Sequence, residues 1–165
     1  MSNRLSASDR LEIHELIARY AWTLDTADVE GFVGCFTDDG EMIWDAFEEP
    51  DRWQGADKLR GFIQFLATRP NAAGRQHHIG NVMVDGEGDE AEAKSYVTVT
   101  FRRGEGPYPV TFAGYYHDQV VRQDGRWLFR QRWVRDWSGP VLKGFAGQTG
   151  EREPRTRPAE LSRGS

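Results

Sequence analysis

Apolar residues at Ile13, Leu16, Ile17, Tyr20 and Leu24 recur in steps of three and four, placing them on one face of an α-helix. Asp9 followed by Glu12 predicts its start near Ser8 or Asp9, as a capping box in which each side chain satisfies a free backbone N–H. His14, Ala18, Ala21 and Asp25 form a neighbouring stripe, so Asp25 sits at the edge of the buried face and at the C-terminal end of the helix. The helix dipole disfavours a carboxylate there, and a cationic or hydrogen-bonding partner is implied. Asp28 is suited to cap a short second helix with Val29, Phe32, Val33 and Phe36 inward, closed by the turn Thr37-Asp38-Asp39-Gly40. Glu41–Phe47 reads as a strand, and Gly55–Ala67 as a third helix with Leu59, Phe62, Ile63 and Leu66 on one face.

Beyond the Pro70–Gly74 loop the period changes to two. Gln76–Asp85 reads as a strand followed by the turn Gly86-Glu87-Gly88-Asp89. Glu90–Arg102 alternates, with Ala91, Ala93, Ser95, Val97, Val99 and Phe101 on one side and polar residues with Tyr96 on the other. Val110–Arg122 and Arg126–Trp137 form a hairpin, because Asp124-Gly125 is a strong turn signal. Helices first and then an antiparallel meander make an α+β domain. It spans residues 1–138, and residues 139–165, rich in Gly, Pro, Arg, Glu and Thr, read as an extended or disordered tail that could pack on a neighbouring subunit.

Composition narrows the function classes. A length of 165 residues suits one domain, and 38% hydrophobic residues with six Trp and nine Phe are enough for a core. A net charge of −5 argues against nucleic acid, whose phosphates need a basic face. No stretch has the run of about 18 apolar residues that a membrane helix needs, and the first residues carry no apolar signal segment. A cytoplasmic location without membrane attachment is expected. Cys35, the single cysteine, lies in an apolar stretch and reads as a small buried residue.

The chemistry-bearing residues are sparse. His77 and His78 are adjacent in a strand and point to opposite faces, so only one of them serves a given site. A lone strand histidine is usually structural, although imidazole is the commonest general base. No second histidine stands at ligand spacing, so no metal is expected. Gly86 and Gly88 belong to a hairpin turn and form no phosphate cradle. Trp127, Phe129, Trp133 and Trp137 read first as a buried or interface stripe, and Arg130 and Arg132 as part of a solvated sheet surface.

Taken together, several segments resemble the SnoaL-like branch of the nuclear-transport-factor-2-like (NTF2-like) superfamily. They are Leu11-x-Ile13-x-x-Leu16-x-x-x-Tyr20-Ala21-x-x-Leu24-Asp25, Cys35-Phe36-Thr37-Asp38-Asp39-Gly40, His77-His78-Ile79-Gly80-Asn81, and Gly114-x-Tyr116 leading to Asp124-Gly125-Arg126-Trp127. The resemblance implies a cone-shaped, curved antiparallel sheet wrapped by three N-terminal helices around an apolar pocket. In the dehydrochlorinase- and scytalone dehydratase-like members an Asp at the end of the first helix orients a strand His that acts as base, and Asp25 and His77 match those positions. Arg132 matches a last-strand Arg of the dehydrochlorinase-like members, and Tyr20 a pocket Tyr of the bile-acid dehydratase-like ones. Trp44 stands where the dehydratases carry a carbonyl-polarising Tyr, and an indole N–H can donate a hydrogen bond without serving as a phenol acid.

The expected function is a cofactor-independent lyase acting on a hydrophobic or aromatic small molecule, by elimination or by C–C cleavage that releases a small carbonyl compound. Asp25, His77 and Arg132 are the expected catalytic residues, with Tyr20, Trp44, Val97, Val99 and Tyr115 as walls. The alternatives are a cofactor-free isomerase or cyclase, a non-catalytic β subunit of a ring-hydroxylating dioxygenase, and a plain ligand-binding module. Related lyases are trimers, so a homotrimer is expected.

Overall fold

The computed structural model describes residues 4–70, 72–102, 104–151 and 154–156. The helices are α1 (Ala7–Thr26), α2 (Val29–Val33) and α3 (Ala56–Ala67). The strands are β1 (Phe36–Asp45), β2 (Asp51–Gln54), β3 (Arg75–Glu87), β4 (Glu90–Phe101), β5 (Val110–Gln123) and β6 (Arg126–Asp136). They form one six-stranded sheet in the order β2-β1-β6-β5-β4-β3. β3 to β6 are the antiparallel meander read from the sequence, whereas β1 joins β6 in parallel, so the sheet is mixed. A parallel neighbour is possible because α3 and the strands of the meander intervene between the two.

α1 begins earlier than its Asp9–Glu12 pair predicts. Ser6 is the N-cap, its hydroxyl accepting from the Asp9 N–H at 3.1 Å, while the Asp9 carboxylate accepts the Ser6 N–H at 2.9 Å. The capping box is therefore Ser6–Asp9; it occupies Asp9 Oδ2 and leaves Oδ1 for longer-range contacts. Asp9 also accepts from the Trp127 indole at 3.3 Å and pairs with Arg122 at 2.9 Å, tying the start of α1 to β5 and β6.

The stripe of Ile13, Leu16, Ile17 and Tyr20 is buried against the inner face of the sheet, in a cluster with Phe32, Phe36, Tyr116 and Phe129. Asp28 caps α2 as expected, accepting from the Gly31 N–H. The expected turn Thr37–Gly40 is instead a bulged part of β1, whose pairing with β6 shifts between Phe36 and Glu41. Gly40 is needed there, because a Cβ would lie 2.9 Å from the Phe129 carbonyl oxygen. On β4 the expected inward set, Ala91 to Phe101, is buried throughout. The chain continues past β6 through a 3₁₀ turn, Gly139–Leu142. Of the tail, residues 152, 153 and 157–165 lie outside the described residues, but Arg155 packs back on its own domain, its N–H donating to the Ala46 carbonyl at 2.8 Å.

Candidate active site

A cavity of about 490 Å³ opens between the helices and the inner face of the sheet. Phe62, Ile63, Phe65 and Leu66 of α3 supply one wall, and Met42 and Trp44 of β1 another. Val99, Phe112, Tyr116 and Val134 close it from the meander, with Tyr20 and Leu24 contributed by α1. Its volume and apolar walls suit a drug-sized hydrophobic ligand.

Asp25 and His77 both line this cavity. Asp25 is carried in the last turn of α1, and His77 in the third position of β3. The two are held by two contacts: the His77 backbone N–H donates to Asp25 Oδ2 at 2.7 Å, and His77 Nδ1 lies 2.5 Å from Asp25 Oδ1. These are the donors that a carboxylate at a helix C-terminus requires. A carboxylate only accepts, so the imidazole proton belongs on Nδ1. Nε2 then keeps its lone pair, and it has no partner among the described residues. Both side chains are mostly but not fully covered, at 13% and 17% exposure, leaving room for a substrate to reach the ring.

The neighbouring histidine is elsewhere. His78 points to the other face, with Nε2 3.1 Å from the Thr100 hydroxyl. Asn81, which simple alternation puts on the face of His77, has a positive φ of 50° in a bulge between Gly80 and Met83 and is exposed.

Three of the expected site residues are placed differently. Arg132 lies beneath the cavity and does not line it: it is fully buried, and its guanidinium donates to both Asp118 oxygens, at 2.8 and 2.6 Å. Tyr20, Tyr116 and Phe129 surround that guanidinium at 4.0 to 4.2 Å. An arginine occupied in this way has no fork to offer a leaving anion. Val97 shares the face of Val99 but packs in the core below the cavity. Tyr115 is on the outer face, edge-on to Trp137, and its neighbour Tyr116 takes the inward position. One residue of register reverses the face of every side chain in a strand.

Tyr20, Trp44 and Val99 do line the cavity. The Tyr20 hydroxyl lies 3.3 Å from the Met42 sulfur, and burial pushes its pKa well above the usual phenol value, so it stays a donor. The Trp44 ring packs on Phe47, and its buried indole N–H has no hydrogen-bond partner among the described residues. Cys35 is buried in the core, where desolvation pushes the thiol up to about 11, too high for a nucleophile.

Three arginines that the sequence did not mark line the cavity: Arg69, just after α3, Arg75 and Arg155. Arg75 precedes His77 by two residues on β3 and so faces the same way, a signal that was available in the alternation. Arg155 comes from the tail, which carries no periodicity to predict its place. Among the described residues no group of three or more His, Cys, Asp or Glu is gathered as a metal site would be, and no helix is long and apolar enough to cross a membrane.

Residues 5–133 match the model of the SnoaL-like domain. Among solved structures, a protein of unknown function with a cystatin-like fold from Nostoc punctiforme is 34% identical, covering 84% of this chain and 98% of that one at a TM-score of 0.70. An NTF2-like protein with a cystatin-like fold from Novosphingobium aromaticivorans is 27% identical over 80% of this chain and 84% of that one, with a TM-score of 0.72. A protein from the same organism, provisionally named a scytalone dehydratase, is 27% identical over 78% of this chain and 84% of its own length, at a TM-score of 0.66. Comparison with curated proteins finds no match. The three helices, the curved mixed sheet and the match over residues 5–133 agree: the chain belongs to the SnoaL-like domain family, on the NTF2-like fold.

Proposed function

We propose that the protein is a cofactor-independent lyase in which His77 is the general base. The observation that carries this reading is the double contact of Asp25 on His77, which fixes the Nδ1–H tautomer at the wall of an apolar cavity. Asp25 stabilises the imidazolium as it forms. Nε2 takes a proton from carbon, the C–H electron pair becomes the new double bond, and the leaving group departs with its own pair. His77 then returns the proton to that group, so that a departing hydroxide leaves as water and the enzyme is restored. The unpaired Trp44 N–H is the donor available to a substrate oxygen, the Tyr20 hydroxyl being engaged with the Met42 sulfur. The resemblance of one solved relative to scytalone dehydratase favours a hydroxylated aromatic or polycyclic substrate.

The test is a panel of such compounds followed by mass spectrometry. Loss of water or of a small carbonyl fragment is expected, whereas conserved mass would assign the isomerase or cyclase reaction to the same base. His77→Ala should lower turnover by about 10²–10⁴-fold, the range of a lost general base. Wild-type turnover by His77→Ala would end the proposal. The exposed Tyr96–Trp137 pair on the outer face suits a subunit contact of the expected trimer, which light scattering reads directly.

A further inference from the structure

Arg75 is carried at the start of β3, beside the cavity. Its side chain is half-buried at the cavity, yet it makes no hydrogen bond, ion pair or ring contact with any described residue. Burial lowers its pKa, and only the charge of Asp25 opposes this. Asp25 attracts Arg75 through charge but forms no hydrogen bond or ion pair with it, and each Asp25 oxygen already contacts His77. The other cavity arginines are engaged: Arg155 Nε donates to Asp136 at 2.8 Å, and the Arg69 guanidinium lies over the Phe65 ring at 4.1 Å. A partly desolvated guanidinium without a hydrogen-bonding partner is costly, and such groups are normally paired. The cavity therefore carries a guanidinium fork with no hydrogen-bonding partner among the described residues, on the same strand face as His77.

We propose that Arg75 is a substrate-binding residue that anchors a carboxylate on the ligand. The anchored group would lie beside the imidazole, with the apolar body of the ligand between α3 and β1. A guanidinium fork matches a carboxylate with two parallel N–H donors, a match that an ammonium cannot reproduce. The inference rests on the cavity being the ligand site, but not on the chemistry assigned to His77, and it narrows the substrate class to hydrophobic acids.

Two probes of equal shape test it: 2-naphthoate and 2-naphthamide, titrated by tryptophan fluorescence and calorimetry at neutral pH and low salt. Wild type should bind the carboxylate about ten- to a hundredfold more tightly than the amide, the range of hydrogen bonds to a charged group. Arg75→Gln should abolish that preference while leaving the affinity for 2-naphthamide and the melting temperature unchanged. Arg75→Lys should retain part of it. His77→Ala should keep the preference, which separates this inference from the catalytic reading. Equal binding of the two probes by wild type, no binding of either at millimolar concentration, or a preference that survives in Arg75→Gln would each overturn it. Should Arg75→Gln not fold, undiminished preference in Arg75→Lys would do the same, because a point charge would then suffice.

Discussion

Asp118 and Arg132 face each other directly across β5 and β6, both at 0% side-chain exposure, joined by bonds of 2.8 and 2.6 Å. Asp118→Ala leaves a guanidinium that cannot lose its proton, buried among three rings and with Nη1 already unpartnered. Breaking such a pair from one side costs about 3–5 kcal/mol. At about 2–4 °C per kcal/mol for a chain of this size, melting should fall by on the order of 10 °C. Arg132→Met orphans the carboxylate instead, which can take up a proton. Burial already pushes Asp118 above its usual value even with Arg132 opposing it. In Arg132→Met the folded state therefore holds a proton that the unfolded chain has released. Its stability should be greatest below the unfolded carboxylate pKa of about 3.9, relative to wild type, and decline as pH rises through the raised folded value. The double variant Asp118→Leu/Arg132→Met should be more stable than Asp118→Ala, since both charges are gone. Urea unfolding followed by tryptophan fluorescence between pH 4 and pH 8, an interval chosen at about the carboxylate reference value and above, measures all three. A cost below about 1 kcal/mol for Asp118→Ala would refute the buried-pair reasoning. So would an Arg132→Met protein of normal stability that has lost turnover, which would return Arg132 to the chemistry.

Trp44→Phe removes an N–H that no described residue accepts, so it should leave the protein fold intact; turnover of an identified substrate should fall about 10–100-fold if that N–H binds the developing oxyanion. A change confined to KM would assign Trp44 to packing alone. Asp9 has its pKa lowered, by the Ser6 hydroxyl first and the Ser6 N–H second. Its contribution to stability should be present above the unfolded value and lost as pH falls through the depressed folded one. The melting difference between wild type and Asp9→Asn should accordingly be constant near neutrality and shrink in acid, and a difference that grows in acid would contradict the assignment.

Periodicity alone shows the inward faces of α1, α3 and β4, because each buries one regular stripe. It also marks Asp25 as anomalous, a carboxylate at the wrong end of a helix dipole, and the structure supplies the two His77 donors that resolve it. What periodicity cannot show is pairing across strands. Arg132 and Asp118 are 14 residues apart and meet only through the β5–β6 register, which shifts at Gln119 and Val120. Tyr115 and Tyr116 are equally plausible walls until the alternation of Gly114, Tyr116 and Asp118 is fixed on the inner face. β2 is a four-residue edge strand of mixed character, and nothing in Asp51–Gln54 marks it before β1 is there to pair with. Arg155 is the extreme case, placed by a backbone bond to Ala46 and an ion pair to Asp136 from a segment without any pattern.

The central claim is that Asp25 holds His77 as the Nδ1–H tautomer with Nε2 free to accept a proton. Long-range ¹H–¹⁵N correlation spectra of imidazole-labelled protein read this without a substrate. At a pH where the ring is neutral, His77 should show a protonated Nδ1 and a pyridine-like Nε2, and Asp25→Asn should lose this preference while the spectra of the other histidines stay as they were. A wild-type His77 whose proton resides on Nε2 would contradict the account, since the nitrogen assigned as the base would then have no lone pair to offer.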